Sequence, residues 1–140
     1  MNMAELPPVG HRVSFAKTVT EEDVVAFAHV TGDEQPLHLD PDFGARTRFG
    51  KRIAHGMLSA GYISAALGTK LWPAGIVIYM GQSLQFRRPV SIGDTITAEV
   101  EVTAMDPEKR VLTVRTDCTN QAGETVVRGE ATVMVDELRP

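Results

Sequence analysis

Residues 53–72 read IAHGMLSAGYISAALGTKLW, and this stretch decides the fold. Apolar or small side chains occupy every side of a helix drawn between Met57 and Leu67, which predicts a buried helix. The segment is at the short limit for a membrane span, and it contains His55, serines and glycines. We therefore expect a helix in a protein core and no membrane association.

The chain from Gly75 onward predicts strands joined by short turns. Residues 75–86 form one long strand or two, with a bend at Gly81. Three later strands alternate between inward apolar and outward polar side chains. Their inward positions are Ile96, Ala98, Val100 and Val102; Leu112, Val114, Thr116 and Cys118; and Val127, Ala131, Val133 and Val135. This antiparallel meander predicts an α+β fold in which a curled sheet wraps around one long central helix.

The chain before the buried helix predicts a strand, a helix and a polar loop. Residues 11–19 alternate as a strand, and Thr20 begins a helix that Gly32 ends. The loop TGDEQPLHLD follows at residues 31–40. Its last residue is an aspartate that precedes a proline, which predicts a short helix over residues 41–47.

The composition is that of a soluble globular protein. The 140 residues predict one domain, 1–140, with 43% hydrophobic and 23% charged residues. The net charge of −4 argues against nucleic acid as a partner, since phosphate binding needs a basic face. Cys118 is the single cysteine, which excludes a disulfide framework and favours a reducing, cytoplasmic setting. No secretory signal is visible at the N-terminus.

The loop at 31–40 and the start of the buried helix carry the candidate chemistry. Asp33 and His38 lie five residues apart with Pro36 stiffening the chain between them, and a carboxylate with an imidazole can hold and activate water. Asp33 could instead only cap the loop. Gly56 opens the helix, where its N–H could stabilise an oxyanion. Close packing is the alternative reason for a glycine there.

Other polar residues admit two interpretations each. Ser64 could bond to the carbonyl four residues earlier, or it could orient a carboxylate of the site. A nucleophilic role is not expected, because no strand–G-x-S-x-G–helix context surrounds it. Two basic pairs could meet phosphates, although solvated surface is the default for arginine and lysine; they are Arg87 with Arg88, and Lys51 with Arg52.

A metal site is conceivable but is not expected. The candidate ligands are His29, Asp33, His38 and His55. Only His29 and Asp33 are four residues apart, and the predicted helix ends between them at Gly32, so no two are expected at i, i+4 on one helix. We read His29 as a surface or second-layer residue. The chemistry proposed for Asp33 and His38 needs neither a metal nor a redox cofactor.

Two stretches resemble the MaoC-like (R)-specific enoyl-CoA hydratases, which have a hot-dog fold. The run FAHVTGDEQPLHLDPDFGARTRFGKRIAHGML is similar to the hydratase motif of that family. The motif has an Asp, a polar residue, Asn-Pro, a variable residue, His and Asp, and later His-Gly-Met opens the central helix. The stretch YMGQSLQFRRPVSIGDTITAEVEV is similar to the strands that follow in the family. Gln35 stands where family members usually carry Asn.

The resemblance implies a role for each matching residue. Asp33 and His38 would hold one water for addition to a trans-2-enoyl-CoA, giving (R)-3-hydroxyacyl-CoA reversibly, and the Gly56 N–H would bind the thioester oxygen. Burial would raise the pKa of the Asp33 carboxyl. Which of the pair is base and which is acid stays open. The supporting residues would be Ser64, Pro36 and His55, with Arg87 and Arg88 as possible contacts to the phosphates of CoA.

The resemblance also implies a homodimer with its acyl-CoA tunnel at the subunit junction. Within the same scaffold, acyl-carrier-protein dehydration and thioester hydrolysis are the alternative reactions. A non-catalytic acyl-binding subunit of a heterodimer is the alternative outside catalysis. Chain-length preference and pathway stay open, including storage-polyester (polyhydroxyalkanoate) supply and fatty acid metabolism. Trp72 and Tyr79 are bulky enough to shorten the tunnel.

Overall fold

The computed structural model describes residues 6–140, which fold as one antiparallel sheet with a helix packed against it. The strands occur in the order β1-β3-β4-β5-β2 across the sheet, so β1 and β2 are its edges. Residues 1–5, assigned above to the same domain and examined for a secretory signal, lie outside the described residues. The strands are β1 (Arg12–Thr18), β2 (Ile76–Phe86), β3 (Thr95–Asp106), β4 (Val111–Thr119) and β5 (Thr125–Asp136). The helices are α1 (Glu21–Thr31), α2 (Pro36–Leu39), α3 (Pro41–Ala45) and α4 (Gly56–Ala66), and a π-helical turn, Leu67–Leu71, extends α4.

The three later strands face the core as their alternation predicts. All four inward side chains of β3 are fully buried, as are those of β4. The inward side chains of β5 are at most 2% exposed. The alternation succeeds because each strand has one face on the core and one in solvent, so a side chain's period of two fixes its environment. β2 bends at the predicted place, where its register with β5 shifts between Tyr79 and Gly81.

α4 packs against β3 and β1 and brings the largest side chains into the core. Ile63, Leu67 and Leu71 are essentially inaccessible to solvent. This arrangement confirms the predicted α+β hot-dog fold. The prediction that the helix is buried on all sides is wrong for the single chain, because one stripe is exposed: Met57, Gly61, Ser64 and Gly68. The side chains of this stripe are mostly small or apolar, like those of the buried face, so the sequence did not distinguish the two faces.

The first helix is fixed at both ends by the residues that the sequence marks. The Thr20 hydroxyl accepts a hydrogen bond from the backbone N–H of Asp23, and the Asp23 carboxylate accepts one from the N–H of Thr20. Gly32 ends α1 with φ of 83°, a conformation that glycine adopts without strain. The loop that carries the candidate residues therefore leaves α1 at a defined angle.

β2 presents a long edge with apolar side chains in contact with solvent. Ile76, Ile78, Tyr79, Met80 and Phe86 are all more than a third exposed in the single chain. Only β5 pairs with β2 in residues 6–140, so half of the strand's backbone hydrogen-bonding groups face outward. Among the same residues, no helix has the length and apolarity that a membrane span requires.

Candidate active site

The loop after α1 folds back on itself through bonds between neighbouring residues. The Thr31 hydroxyl donates to the carbonyl of Phe27 at 2.6 Å and accepts from the backbone N–H of Asp33 at 3.2 Å. One oxygen of the Asp33 carboxylate accepts a long bond of 3.4 Å from the N–H of Gln35. Asp33 therefore does cap the loop, as the simpler interpretation expected, while its second oxygen makes no hydrogen bond within residues 6–140.

His38 lies on the short helix α2, in a stretch that was predicted as loop. Pro36 occupies the first position of α2, so its fixed φ starts the turn two residues before the imidazole. His38 Nδ1 lies 2.7 Å from the carbonyl oxygen of Ile53. A carbonyl can only accept, so Nδ1 carries the hydrogen and Nε2 of the neutral ring carries a lone pair. The His38 side chain is 8% exposed.

His55 joins the two candidate residues from the start of α4. Its Nε2 lies 2.9 Å from the backbone carbonyl oxygen of Asp33, and its ring stacks on that of His38 with centroids 3.8 Å apart. The ring of Phe27 covers it at 4.7 Å. Burial lowers the pKa of His55, which keeps the imidazole neutral. The structure thus brings Asp33, His38 and His55 together, with one side-chain atom of each within 4.8 Å of the others.

These three side chains have the donor types of a metal site, yet their geometry does not suit one. The His38 and His55 rings lie face to face at an interplanar angle of 28°. A metal binds in the plane of an imidazole, at about 2.0–2.1 Å from nitrogen, and two stacked planes do not meet that close to the rings. His29 lies apart from them, exposed and 3.5 Å from the Glu34 carboxylate, which agrees with the surface interpretation.

Gly56 is the first residue of α4, and its N–H has no acceptor within residues 6–140. Helix geometry leaves such first-turn donors unpaired, with a partial positive charge. A Cβ atom at Gly56 would lie 2.8 Å from the ring of Phe86, so close packing also requires a glycine. The two interpretations of Gly56 are therefore compatible in this structure.

Two grooves meet at the Gly56–Met57 turn. The first, which we call the basic groove, has a volume of about 460 Å³ and is lined by Gly56, Met57, Ser59, Phe86, Arg87 and Arg88, among others. The second, which we call the apolar groove, has a volume of about 650 Å³ and is lined by Phe27, Asp33, Met57, Gly61, Tyr79 and Leu84, among others. Met57 lines both, so a long ligand could pass from one to the other over the start of α4.

Arg52 was expected to lie on the solvated surface, and in the structure it is hydrogen bonded to the backbone of His38. Its Nε donates to the carbonyl oxygen of His38 at 2.8 Å. Its two terminal nitrogens hold the Glu21 carboxylate at 2.7 and 3.0 Å. A side chain held at three atoms is not free for a phosphate. No sequence pattern links positions 21, 38 and 52, which explains why this residue was missed.

The predicted site residues on α4 and directly after β2 make no hydrogen bond to Asp33 or His38 in residues 6–140. Ser64 is on the exposed stripe of α4, and neither Asp33 nor the preceding turn is hydrogen bonded to its hydroxyl in residues 6–140. Arg88 forms an ion pair with Glu124 at 3.2 Å, and Arg87 lies 3.4 Å from Gln85 Oε1. The expected burial of Asp33 is wrong for the single chain, in which this side chain is exposed.

Two nucleophilic or acidic groups near the helix are made inert by the core. Burial raises the pKa of the Cys118 thiol to about 12, and its sulfur lies 3.7 Å from the carbonyl oxygen of Ser59. Burial also raises the pKa of Tyr62 to about 12. Trp72 is not among the residues that line either groove, whereas Tyr79 lines the apolar groove.

A sheet curled around a helix, with a carboxylate and two imidazoles together at the start of that helix, defines a hot-dog protein with side chains capable of acid–base chemistry. The family model described as "MaoC like domain" matches residues 6–124, and the chain belongs to the MaoC-like family.

Curated relatives and solved structures agree with this membership. The (R)-specific enoyl-CoA hydratase of Rhodospirillum rubrum is 54% identical over 90% of this chain and 86% of that protein. The 3-hydroxybutyryl-CoA dehydratase of Methylorubrum extorquens is 48% identical over 91% of this chain and 80% of that protein. The unliganded R-hydratase PhaJ1 of Pseudomonas aeruginosa superimposes with a TM-score of 0.88 at 44% identity, covering 97% of this chain and 86% of that one.

Proposed function

We propose that this chain catalyses the reversible (R)-specific hydration of trans-2-enoyl-CoA to (R)-3-hydroxyacyl-CoA. The observation that carries the proposal is the meeting of Asp33 and His38 around His55, which immediately precedes the unpaired Gly56 N–H. Its relatives named (R)-specific enoyl-CoA hydratase support the same reaction.

In this proposal one water lies between the Asp33 carboxylate and His38 Nε2. Both atoms accept hydrogen bonds, because Nδ1 of His38 already donates to Ile53. The water then directs a lone pair outward, towards the β-carbon of the substrate. As the C–O bond forms, one of the two side chains takes a water proton. The group that took it can return a proton to the α-carbon on the same face, so both remain candidates for each role.

Negative charge develops on the thioester oxygen when water adds to the β-carbon. The Gly56 N–H points out of the first turn of α4 and supplies an oriented donor with the positive end of the helix behind it. His55 precedes Gly56 and contacts Asp33, so the donor follows directly after a residue that contacts the proposed water site. No step in this sequence of events needs a metal or a redox cofactor.

The two grooves indicate how the substrate would lie across the site. The acyl chain would occupy the apolar groove, whose lining includes Asp33 and the Tyr79 ring. Pantetheine would leave through the basic groove, where Arg87 and Arg88 would contact the phosphates of CoA. Ser64 would support the carboxylate of the site from the same helix face that the apolar groove borders.

We further propose a homodimer in which a second copy covers β2. Open edge groups and exposed apolar side chains of β2 favour pairing with an identical strand, which gives a self-complementary interface. Such a partner would also cover the apolar groove and bury the exposed Asp33. The lone, buried Cys118 favours a reducing compartment, and we place the enzyme in the cytoplasm.

The test is an assay with crotonyl-CoA and longer enoyl-CoA substrates. Loss of the conjugated enoyl absorbance without release of thiol, with (R)-product by chiral analysis, supports hydration. Thiol release would indicate hydrolysis, and activity confined to carrier-protein thioesters would indicate the dehydratase. Asp33→Asn and His38→Gln should each lower kcat by about 10²–10⁴ without loss of folding. Wild-type rates in both folded variants would refute the assigned site, and no turnover in the wild type would favour a binding subunit.

A further inference from the structure

His55 makes contacts that a structural core histidine does not need. The residue is 2% exposed, and its ring contacts the rings of Phe27 and His38. Its only hydrogen bond in residues 6–140 goes to the backbone carbonyl of Asp33. One ring therefore contacts both members of the proposed acid–base pair, Asp33 by a polar bond and His38 by its face.

The protonation state of His55 follows from the same contacts. Because the Asp33 carbonyl only accepts, Nε2 carries the hydrogen, and Nδ1 is left with a lone pair. That Nδ1 atom is buried without a hydrogen-bond partner within residues 6–140. A buried acceptor without a donor destabilises the folded chain. A phenyl ring would keep the stacking with Phe27 and His38 and would avoid this cost.

The imidazole therefore offers one thing that a hydrocarbon ring does not, which is the N–H directed at Asp33. The carbonyl of Asp33 is four bonds from its carboxylate, so fixing the carbonyl limits where the carboxylate can lie. The remaining restraints on Asp33 are weaker: a bond of 3.2 Å to the Thr31 hydroxyl and one of 3.4 Å to the N–H of Gln35. His38 is independently fixed by the Ile53 carbonyl and by Arg52.

We propose that His55 is a positioning residue which sets the separation of Asp33 and His38, by donating to the carbonyl of one and stacking on the ring of the other. The inference rests on the proposed function, since it assigns His55 a task in the same reaction. His55 touches neither the water nor the substrate in this scheme. Its effect is on how often the two acceptors are correctly spaced for one water.

The experiment compares two substitutions that separate the ring from the donor. His55→Phe keeps the ring and removes the N–H, whereas His55→Gln can place an amide N–H near the position of Nε2. The matched control is His29→Gln, which alters an exposed histidine outside the site. Each variant is assayed for kcat and KM with crotonyl-CoA and for its melting temperature.

We expect His55→Phe to keep a melting temperature at or above that of the wild type. Its kcat should fall by about 10–100-fold with KM changed by less than about threefold, because misplacement of a catalytic group by about 1 Å costs up to 10²-fold. His55→Gln should recover kcat to within about fivefold of the wild type, as a restored donor should. A purely structural role would instead make activity follow melting temperature in all variants.

Two results would overturn the inference. Wild-type kcat in folded His55→Phe would show that the N–H is dispensable, and a His55→Gln variant as slow as His55→Phe would show that the donor does not position Asp33. If His55→Phe does not fold, His55→Leu, which also lacks the N–H, replaces it in both comparisons.

A second readout does not depend on activity. The ¹³C signal of the Asp33 carbonyl should move in His55→Phe and stay near its wild-type position in His55→Gln. This measurement tests the contact even if wild-type protein fails to hydrate any enoyl thioester, in which case the proposed function fails by itself. An unmoved Asp33 signal in His55→Phe would overturn the inference.

Discussion

Gly56→Ala separates the two reasons for a glycine at the start of α4. The added Cβ would lie 2.8 Å from two ring carbons of Phe86, closer than carbon atoms pack. To restore ordinary contact the ring must retreat by about 0.7 Å. Phe86 is 53% exposed, so its ring can move, and we expect the low end of overpacking costs, about 1 kcal/mol. For a chain of this size that corresponds to a fall in Tm of about 3–5 °C.

The catalytic effect should be much larger than this fall in stability. The new methyl group would stand beside the only N–H that we assign to the thioester oxygen, and the substrate carbonyl could not approach it. Loss of one such donor costs about 10²–10³ in kcat. We expect a loss of this size in Gly56→Ala, measured as hydration of crotonyl-CoA by a protein whose circular dichroism and melting curve remain cooperative.

A companion variant removes the packing problem and leaves the catalytic one. Phe86→Leu replaces the ring that the new Cβ would meet with a smaller side chain. In that background Gly56→Ala should be as stable as Phe86→Leu alone. Its activity should stay about 10²-fold below that of Phe86→Leu. If the double variant is as active as Phe86→Leu, Gly56 serves packing only and the oxyanion assignment is refuted.

Three further outcomes follow from contacts around the site. Arg52→Lys cannot hold Glu21 and the His38 carbonyl together as the guanidinium does, so it should lower the free energy of unfolding in urea by about 1–2 kcal/mol. The control is Lys51→Gln, and a loss of stability in Arg52→Lys no larger than a small loss in Lys51→Gln would contradict this. Ile78→Lys places a charge on the β2 edge and should convert dimer to monomer in analytical ultracentrifugation, whereas Val30→Lys, at an exposed apolar residue of α1, should not; an unchanged sedimentation coefficient for Ile78→Lys would contradict the proposed interface. Burial lowers the pKa of His55, so the unfolded chain binds this proton more readily than the folded chain does, and stability should decrease as the pH falls below about 6.5. In His55→Gln, Tm should therefore depend less on pH between about pH 5 and 7. Parallel curves of Tm against pH for this variant and the wild type would refute the assignment.

Strands β3, β4 and β5 could be predicted closely because each has one face in the core and one face towards solvent. Every inward position of β3 and β4 that the alternation marked is fully buried. The bend of β2 was also foreseen, since a glycine in a long strand is where a bulge forms at low cost. The place of β2 beside β5 was not foreseen, because the alternation of a strand does not name its neighbours.

The helices show where sequence patterns lose their information. α2 has four residues, too few for a helical period, so only Pro36 marked its start. The exposed stripe of α4 is as small and apolar as its buried face, so composition could not tell which side faces the sheet. The spacing of Asp33 and His38 was informative because their loop is local, whereas the bond from Arg52 to His38 joins residues 14 positions apart.

The contacts that hold the proposed acid–base pair come from one short piece of the chain. Ile53, His55 and Arg52 supply the bonds to the loop, and Gly56 follows directly. One wall of the apolar groove that would enclose an acyl group comes from β2, a separate segment of the chain, through Tyr79, Gln82 and Leu84. Reactivity and part of the selectivity would thus be encoded in different stretches. Substitutions in β2 can retune which thioester is accepted while the hydration chemistry is inherited unchanged, which gives such a scaffold room to diversify its substrates.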